Sequence, residues 1–248
     1  MTYSNVLIVG AGPVGLTLAI DLAWRGIDVT VMETRARAAP PEPKCNHVAA
    51  RTMEIFRRLG LAEKVRNAGL PADYPHDISY RTSFTGKELA RIPIPCRRDR
   101  FTAKDGPDCN WPTPEPPHRI NQISLEPILF EHATAQPRIR IINRSAAEDV
   151  VIEDTAANVG LRDLDTGAVR RIDCRFLIGC DGAFGRTQSD RRRAHRRRDH
   201  PAGTVDLYPL ARFDRSSAAR QCLGNRGHQP AALRHGIRDR RPRAMAGA

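Results

Sequence analysis

An α/β fold is predicted by three features of the 248-residue sequence. A short apolar run, residues 5–9, leads through a glycine-rich turn into a helix-like stretch and a second apolar run, which is the pattern of a βαβ unit. Residues 138–178 then hold four or five strand-like segments. From about Thr187 the hydrophobic pattern stops. Leu, Ile, Val and Phe supply 7 of the last 61 residues, below the ~20% at which a strongly charged segment tends to stay disordered.

The elements follow in order. NVLIV (5–9) reads as a buried strand, and in LTLAIDLAWRG the residues Leu16, Ala19, Ile20 and Ala23 recur at helical spacing before Gly26 stops the helix. DVTVM (28–32) is a second strand ending at Glu33. After the loop AAPPEP (38–43), VAARTMEIFRRLG predicts an amphipathic helix closed at Gly60, and LAEKVRNAG a shorter one. DISYRTSF, a TGKE turn and LARIPI (77–94) predict an antiparallel hairpin, and the seven prolines between Pro93 and Pro117 an irregular loop. ISLEPILFEHATA (123–135) is apolar at helical spacing, with Pro127 expected in the first turn. RIRII, DVVIE, VGLRDL, AVRRI and FLIG are the strands of the 138–178 series, which closes at GCDG (179–182).

Composition excludes several classes. The hydrophobic fraction of 40% is that of a chain with a packed core. No run of ~18 apolar residues is present, so no membrane helix is expected. The start has no basic and apolar leader pattern, which predicts a cytoplasmic protein. The six cysteines form no C-x-x-C pair, so reduced thiols are expected and no metal site. The net charge of +12 is unevenly placed: residues 1–186 carry +2 and residues 187–248 carry +10, with 15 Arg against 5 Asp. The run RRRAHRRR (191–198) would bind a phosphate backbone, but no aromatics interleave it, so no specific nucleic acid is expected as partner.

Gly10-Ala11-Gly12-Pro13-Val14-Gly15 is a G-x-G-x-x-G between a strand and a helix. Gly10 permits the tight turn, Gly12 lets backbone approach a pyrophosphate, and Gly15 lets helix and strand pack closely. The helix N-terminus adds free N–H groups and a positive dipole end. Glu33, 23 residues after Gly10, can accept hydrogen bonds from both hydroxyls of a ribose and would repel a 2′-phosphate. The ligand is therefore FAD or NAD rather than NADP; the alternative is a nucleotide-free α/β turn.

Four stretches together resemble the FAD-dependent aromatic hydroxylases, the para-hydroxybenzoate hydroxylase and phenol hydroxylase type of flavin monooxygenase. They are GAGPVGLTLAIDLAWRG with VTVMET, AARTMEIFRRLGL, RINQISLEPILFEHA and FLIGCDGAFGRT. The resemblance covers about residues 5–187 and implies a Rossmann-like FAD-binding domain (1–187), with 77–118 as part of a β-rich substrate domain. It implies that Gly10, Gly12, Pro13, Val14 and Gly15 cradle the FAD pyrophosphate and that Glu33 binds the adenosine ribose. Lys44 stands where many relatives have a flavin-contacting arginine, keeping the charge without the bidentate fork. Arg51 of the R-T-M-E stretch helps hold FAD, Gln122 bonds the ribityl chain, and Asp181 and Gly182 touch the cofactor. His47 is expected on the helix face as a structural residue, and no general base is assigned. The implied reaction is hydroxylation of a small aromatic, phenolic substrate with NAD(P)H and O₂ through a C4a-hydroperoxyflavin, in members that can form homodimers. The alternatives are a catalytically incomplete fragment that at most binds FAD, or another FAD-dependent oxidoreductase.

The second flavin motif of such enzymes, G-D-A-A-H, does not occur after residue 187. Residues 188–248 are expected to be a disordered Arg-rich tail, and their Arg, Ala, Pro and Gly content fits a reading frame that shifts shortly after Arg186.

Overall fold

The computed structural model describes residues 2–41, 43–153, 155–182 and 206–208. The chain divides into two compact units, Met1–Ala211 and Arg212–Ala248, and every described residue belongs to the first. Most of the basic tail predicted at 188–248 therefore lies outside the described residues. Residues 206–208, within that segment, form a strand.

The predicted βαβ opening is present as β1 (Thr2–Val9), α1 (Pro13–Trp24) and β2 (Val29–Met32). β5 (Ile139–Ile142) joins β2, and β8 (Val169–Gly179) joins the other side of β1, all parallel. β7 (Ala157–Asp163) and β6 (Ser145–Ile152) continue the sheet antiparallel from β8. The path is β5-β2-β1-β8-β7-β6, with β9 (Asp206–Tyr208) pairing antiparallel to the end of β8. AVRRI and FLIG, read as separate strands, are thus one 11-residue strand. No Gly or Pro interrupts 169–178, and Ile172–Cys174 pair with β7 on one side and β1 on the other, so the ladder runs through.

The uniformly apolar centre of β1 is explained by burial on both faces. Val6 and Ile8 face one core with Leu16, Ile20, Val29, Val31, Leu129 and Ile178. Leu7 and Val9 face a second core with Met32, Val159, Leu161 and Leu177. The helices α1, α2 (Ala50–Arg58), α3 (Ala62–Asn67) and α4 (Gln122–Thr134) contribute to the first core. Met53 and Phe56 are the buried positions of α2, as its spacing predicts. None of the helices among the described residues is long and apolar enough to cross a membrane.

Two expectations need correction. Pro127 sits in the second turn of α4, because the helix starts at Gln122, where the Asn121 side chain accepts from the Ile123 N–H at 3.0 Å. His47 is not on a helix face. It is exposed, before α2, in a segment whose Val48 bridges antiparallel to His118. The predicted hairpin is present as β3 (Ile78–Arg81) and β4 (Glu88–Ile92), a separate two-stranded sheet with exposed Tyr80, Phe84 and Leu89.

The β1–α1 turn is held by contacts that leave no room for side chains. A β-carbon on Gly15 would lie 2.0 Å from the Gly10 carbonyl oxygen, a backbone atom that cannot step aside alone. Gly15→Ala is therefore expected to destabilise the chain by at least about 2 kcal/mol, overriding the ~1 kcal/mol helix preference of Ala over Gly. Urea denaturation followed by circular dichroism measures this.

Candidate functional site

The glycine turn lies at the C-terminal ends of β1, β2 and β8, where open parallel sheets bind ligands. Gly10 has φ +106°, a conformation costly for any residue with a β-carbon. Its N–H donates to the Met32 carbonyl at 2.7 Å, and the Cys180 N–H donates to the Val9 carbonyl at 2.7 Å. The turn is thereby pinned to both neighbouring strands. A β-carbon on Gly10 would lie 2.4 Å from the Cys180 oxygen, so residue 10 and the Cys180–Gly182 segment are in close contact. This brings the Asp181 backbone beside the turn, with Gly182 (φ +80°) the next residue.

Gly12 behaves differently. It is the residue before α1, has an ordinary φ of −75°, and a β-carbon there would meet nothing within 4 Å among the described residues. Pro13 opens the helix, no side chain caps it, and Val14 stands exposed at its mouth. An uncapped N-terminus with open space in front of its glycine fits a phosphate group. Packing therefore explains Gly10 and Gly15, whereas no packing contact among the described residues requires a glycine at 12.

Glu33 is 7% exposed at the end of β2. Its Oε2 accepts from the Ala11 N–H at 2.8 Å, and its Oε1 from the Arg35 N–H at 2.9 Å and Nε at 3.1 Å. Burial pushes this carboxyl up, but the hydrogen bonds from Arg35 and Ala11 outweigh it and hold the pKa below the usual carboxylate range. Glu33 thus ties the turn to β2. Most of its lone pairs are already used, so a ribose would share them with, or displace, the Arg35 guanidinium.

Sequence reading missed Arg35 and Glu126. The Arg35 guanidinium also pairs with Glu126, and the Gln122 side-chain amide donates to Glu126 at 3.0 Å. A continuous polar chain, Glu33–Arg35–Glu126–Gln122, therefore joins the two positions assigned to the two ends of a dinucleotide. The signal was an arginine two residues after Glu33 and a glutamate one helical turn after Gln122. Gln122 is further tied to the Lys44 segment, since its backbone N–H donates to the Cys45 carbonyl at 3.1 Å. Lys44 is exposed there. Arg51 stands exposed on the first turn of α2, and no hydrogen bond or ion pair given for the described residues joins it to the others.

The nearby thiol and imidazoles are poor catalysts. Burial, with a smaller contribution from Asp181, pushes the Cys180 thiol up to about 11, so it is protonated at neutral pH. His118 is buried, and desolvation followed by the Arg66 charge pushes it down to about 4. Its Nε2 lies 3.1 Å from the Val65 carbonyl, the contact of a neutral, donating ring.

Arg35→Ala is expected to leave Glu33 and Glu126, 7% and 5% exposed, as two buried carboxylates without their shared cation. Because Arg35 itself is one-third exposed, the loss should be about 1–3 kcal/mol in urea denaturation. The depressed Glu33 pKa gives stability that is present above the unfolded carboxylate value and is lost as pH falls through the folded one. Stability measured from pH 6 downwards should therefore fall more steeply in the native chain than in Glu33→Gln.

With this geometry in place, comparison with known proteins is informative. The FAD binding domain family matches residues 3–230, running on past the motifs that end near Thr187. An FAD-dependent monooxygenase, apdD, of Emericella nidulans is 32% identical over 181 residues, covering 72% of this chain and 29% of that protein. The phenol 2-monooxygenase of Pseudomonas sp. (strain EST1001) is 32% identical over 191 residues, 75% of this chain and 30% of that protein. Among solved structures, the rebeccamycin biosynthetic enzyme RebC superposes with a TM-score of 0.66 at 35% identity, over 76% of this chain and 34% of RebC. The chain spans about 30% of the length of the curated relatives it matches.

Proposed function

The chain belongs to the FAD binding domain family, and on that premise we propose that residues 2–182 are the FAD-holding part of an aromatic-ring monooxygenase. The observation that carries this reading is the open space at Gly12, in front of the uncapped α1 N-terminus, two residues after the Gly10 turn that meets the Cys180–Asp181 backbone. The Gly12–Gly15 backbone would take the pyrophosphate through N–H groups and the helix dipole. Glu33 would take the adenosine ribose, with Arg35 setting the orientation of its carboxylate. Gln122, held at the start of α4, would bond the ribityl chain, and Lys44 and Arg51 would add positive charge around the cofactor. Asp181 and Gly182 would close the site from the β8 side.

When bound, FAD supplies the redox chemistry by which NAD(P)H and O₂ place one oxygen atom on a phenolic ring. The chain's own share is to position the cofactor and to keep water from it. Support for an aromatic substrate comes from the phenol 2-monooxygenase relative.

Titration of the purified chain with FAD, followed by visible absorption and flavin fluorescence, tests the proposal. A shifted flavin spectrum with saturation is expected, and Gly12→Ala should weaken uptake at least tenfold while changing stability by no more than about 1 kcal/mol. Unchanged affinity in Gly12→Ala, or no uptake by a folded chain, would overturn it. NAD(P)H oxidation by the FAD-loaded chain that rises on adding phenol tests the hydroxylase part of the reading.

A further inference from the structure

We propose that the loop 94–103, with His76, forms a binding site for a small oxyanion, such as a carboxylate, sulfate or phosphate group, on the guanidinium groups of Arg100 and Arg97. The Arg100 side chain is 3% exposed. Its Nη2 pairs with Asp108, but its Nε and Nη1 are buried with no hydrogen-bond acceptor among the described residues. A guanidinium carries five N–H donors and cannot shed its proton, so burial with donors unmet calls for an acceptor.

Two further orphans lie in the same neighbourhood. Arg97 Nε is buried and unpaired, while its Nη1 donates to Asn67 at 3.1 Å. His76 is buried with Nδ1 unpaired. Arg100, Arg119 and Arg97 all stand within electrostatic reach of His76. The loop is folded back onto the residues before β3, with the Arg98 N–H donating to the Ala72 carbonyl at 2.9 Å and the Ile94 N–H to Asp77 at 2.9 Å.

The neighbouring acids have other partners, among them Asp99 of the loop itself, which is exposed and takes the Cys96 thiol and Arg98. Glu115 takes Arg66, and Asp77 takes Arg91. Asp108 meets only one corner of Arg100. Arg100 and Arg97 therefore keep unmet donors where water is excluded, and an oxyanion is the chemistry that satisfies them. His76 Nδ1 would accept from a protonated oxyanion or, as imidazolium beside a bound anion, donate to it.

Two sources supply this chemistry: a free acid, or a side-chain carboxylate from a part of a longer chain. The site makes no use of the flavin residues, so it can be tested without FAD. Trp111 lies under Arg100, 5.7 Å from guanidinium carbon to ring centroid, and Trp24→Phe leaves it the only tryptophan. Its fluorescence in the full-length chain is titrated with sulfate, phosphate, acetate and benzoate at constant ionic strength set by chloride. A saturable change is expected, weakened at least tenfold by Arg100→Gln and by Arg97→Gln. If Arg100→Gln fails to fold, Arg97→Gln carries the comparison. Benzoate tenfold tighter than acetate identifies a free aromatic acid, and equal affinities identify a site filled by a side-chain carboxylate. No response beyond chloride, or unchanged affinity in a folded variant, would overturn the proposal.

Discussion

A β-carbon at residue 10 would stand 2.4 Å from the carbonyl oxygen of Cys180, and the geometry of the whole site depends on that approach being allowed. It lets β1 end between β2 and β8 with a backbone hydrogen bond to each side of the turn. It also sets where α1 starts, because Gly15 packs its own Cα against the Gly10 carbonyl. From there the Ala11 N–H reaches Glu33, and the Asp181 backbone meets the turn. A side chain at either glycine would lift α1 from the sheet and separate these groups together.

Charge is arranged in two contrasting ways. Around the turn, buried carboxylates and the one partly exposed guanidinium form a connected chain, Glu33–Arg35–Glu126–Gln122. Each charge there has an opposite partner, which is the condition for keeping ions inside a protein at tolerable cost. In the loop 94–103, Arg100 is more deeply buried than Arg35 yet has less of its donor capacity used. A ribose at Glu33 would meet a site already stiffened by Arg35, so cofactor binding and the internal network would compete for the same lone pairs.

Much of the fold was legible because its signals are local. The apolar run 5–9, the glycine spacing and the acid after the second strand predicted β1, α1, β2 and Glu33, since each depends on neighbouring residues alone. The boundary errors have physical reasons. Asn121 caps α4 so that it starts at Gln122, which makes Pro127 its sixth residue, past the first turn. Pairing on both sides of Ile172–Cys174 fused two expected strands into β8. Arg35 and Glu126 escaped notice because a charged residue near a strand end or on a helix reads as solvated until its burial is known.

The sequence by itself determined the βαβ unit, the glycine spacing at 10, 12 and 15, and the likeness to flavin hydroxylases. Only the tertiary structure separated the three glycines, two required by backbone contact and one open to space, because a missing side chain looks the same in sequence whatever lies beyond it. The same holds for the charges. Whether an arginine is paired, bridging or orphaned depends on residues far along the chain, Glu126 for Arg35 and the folded-back loop for Arg100, and only packing brings those into contact.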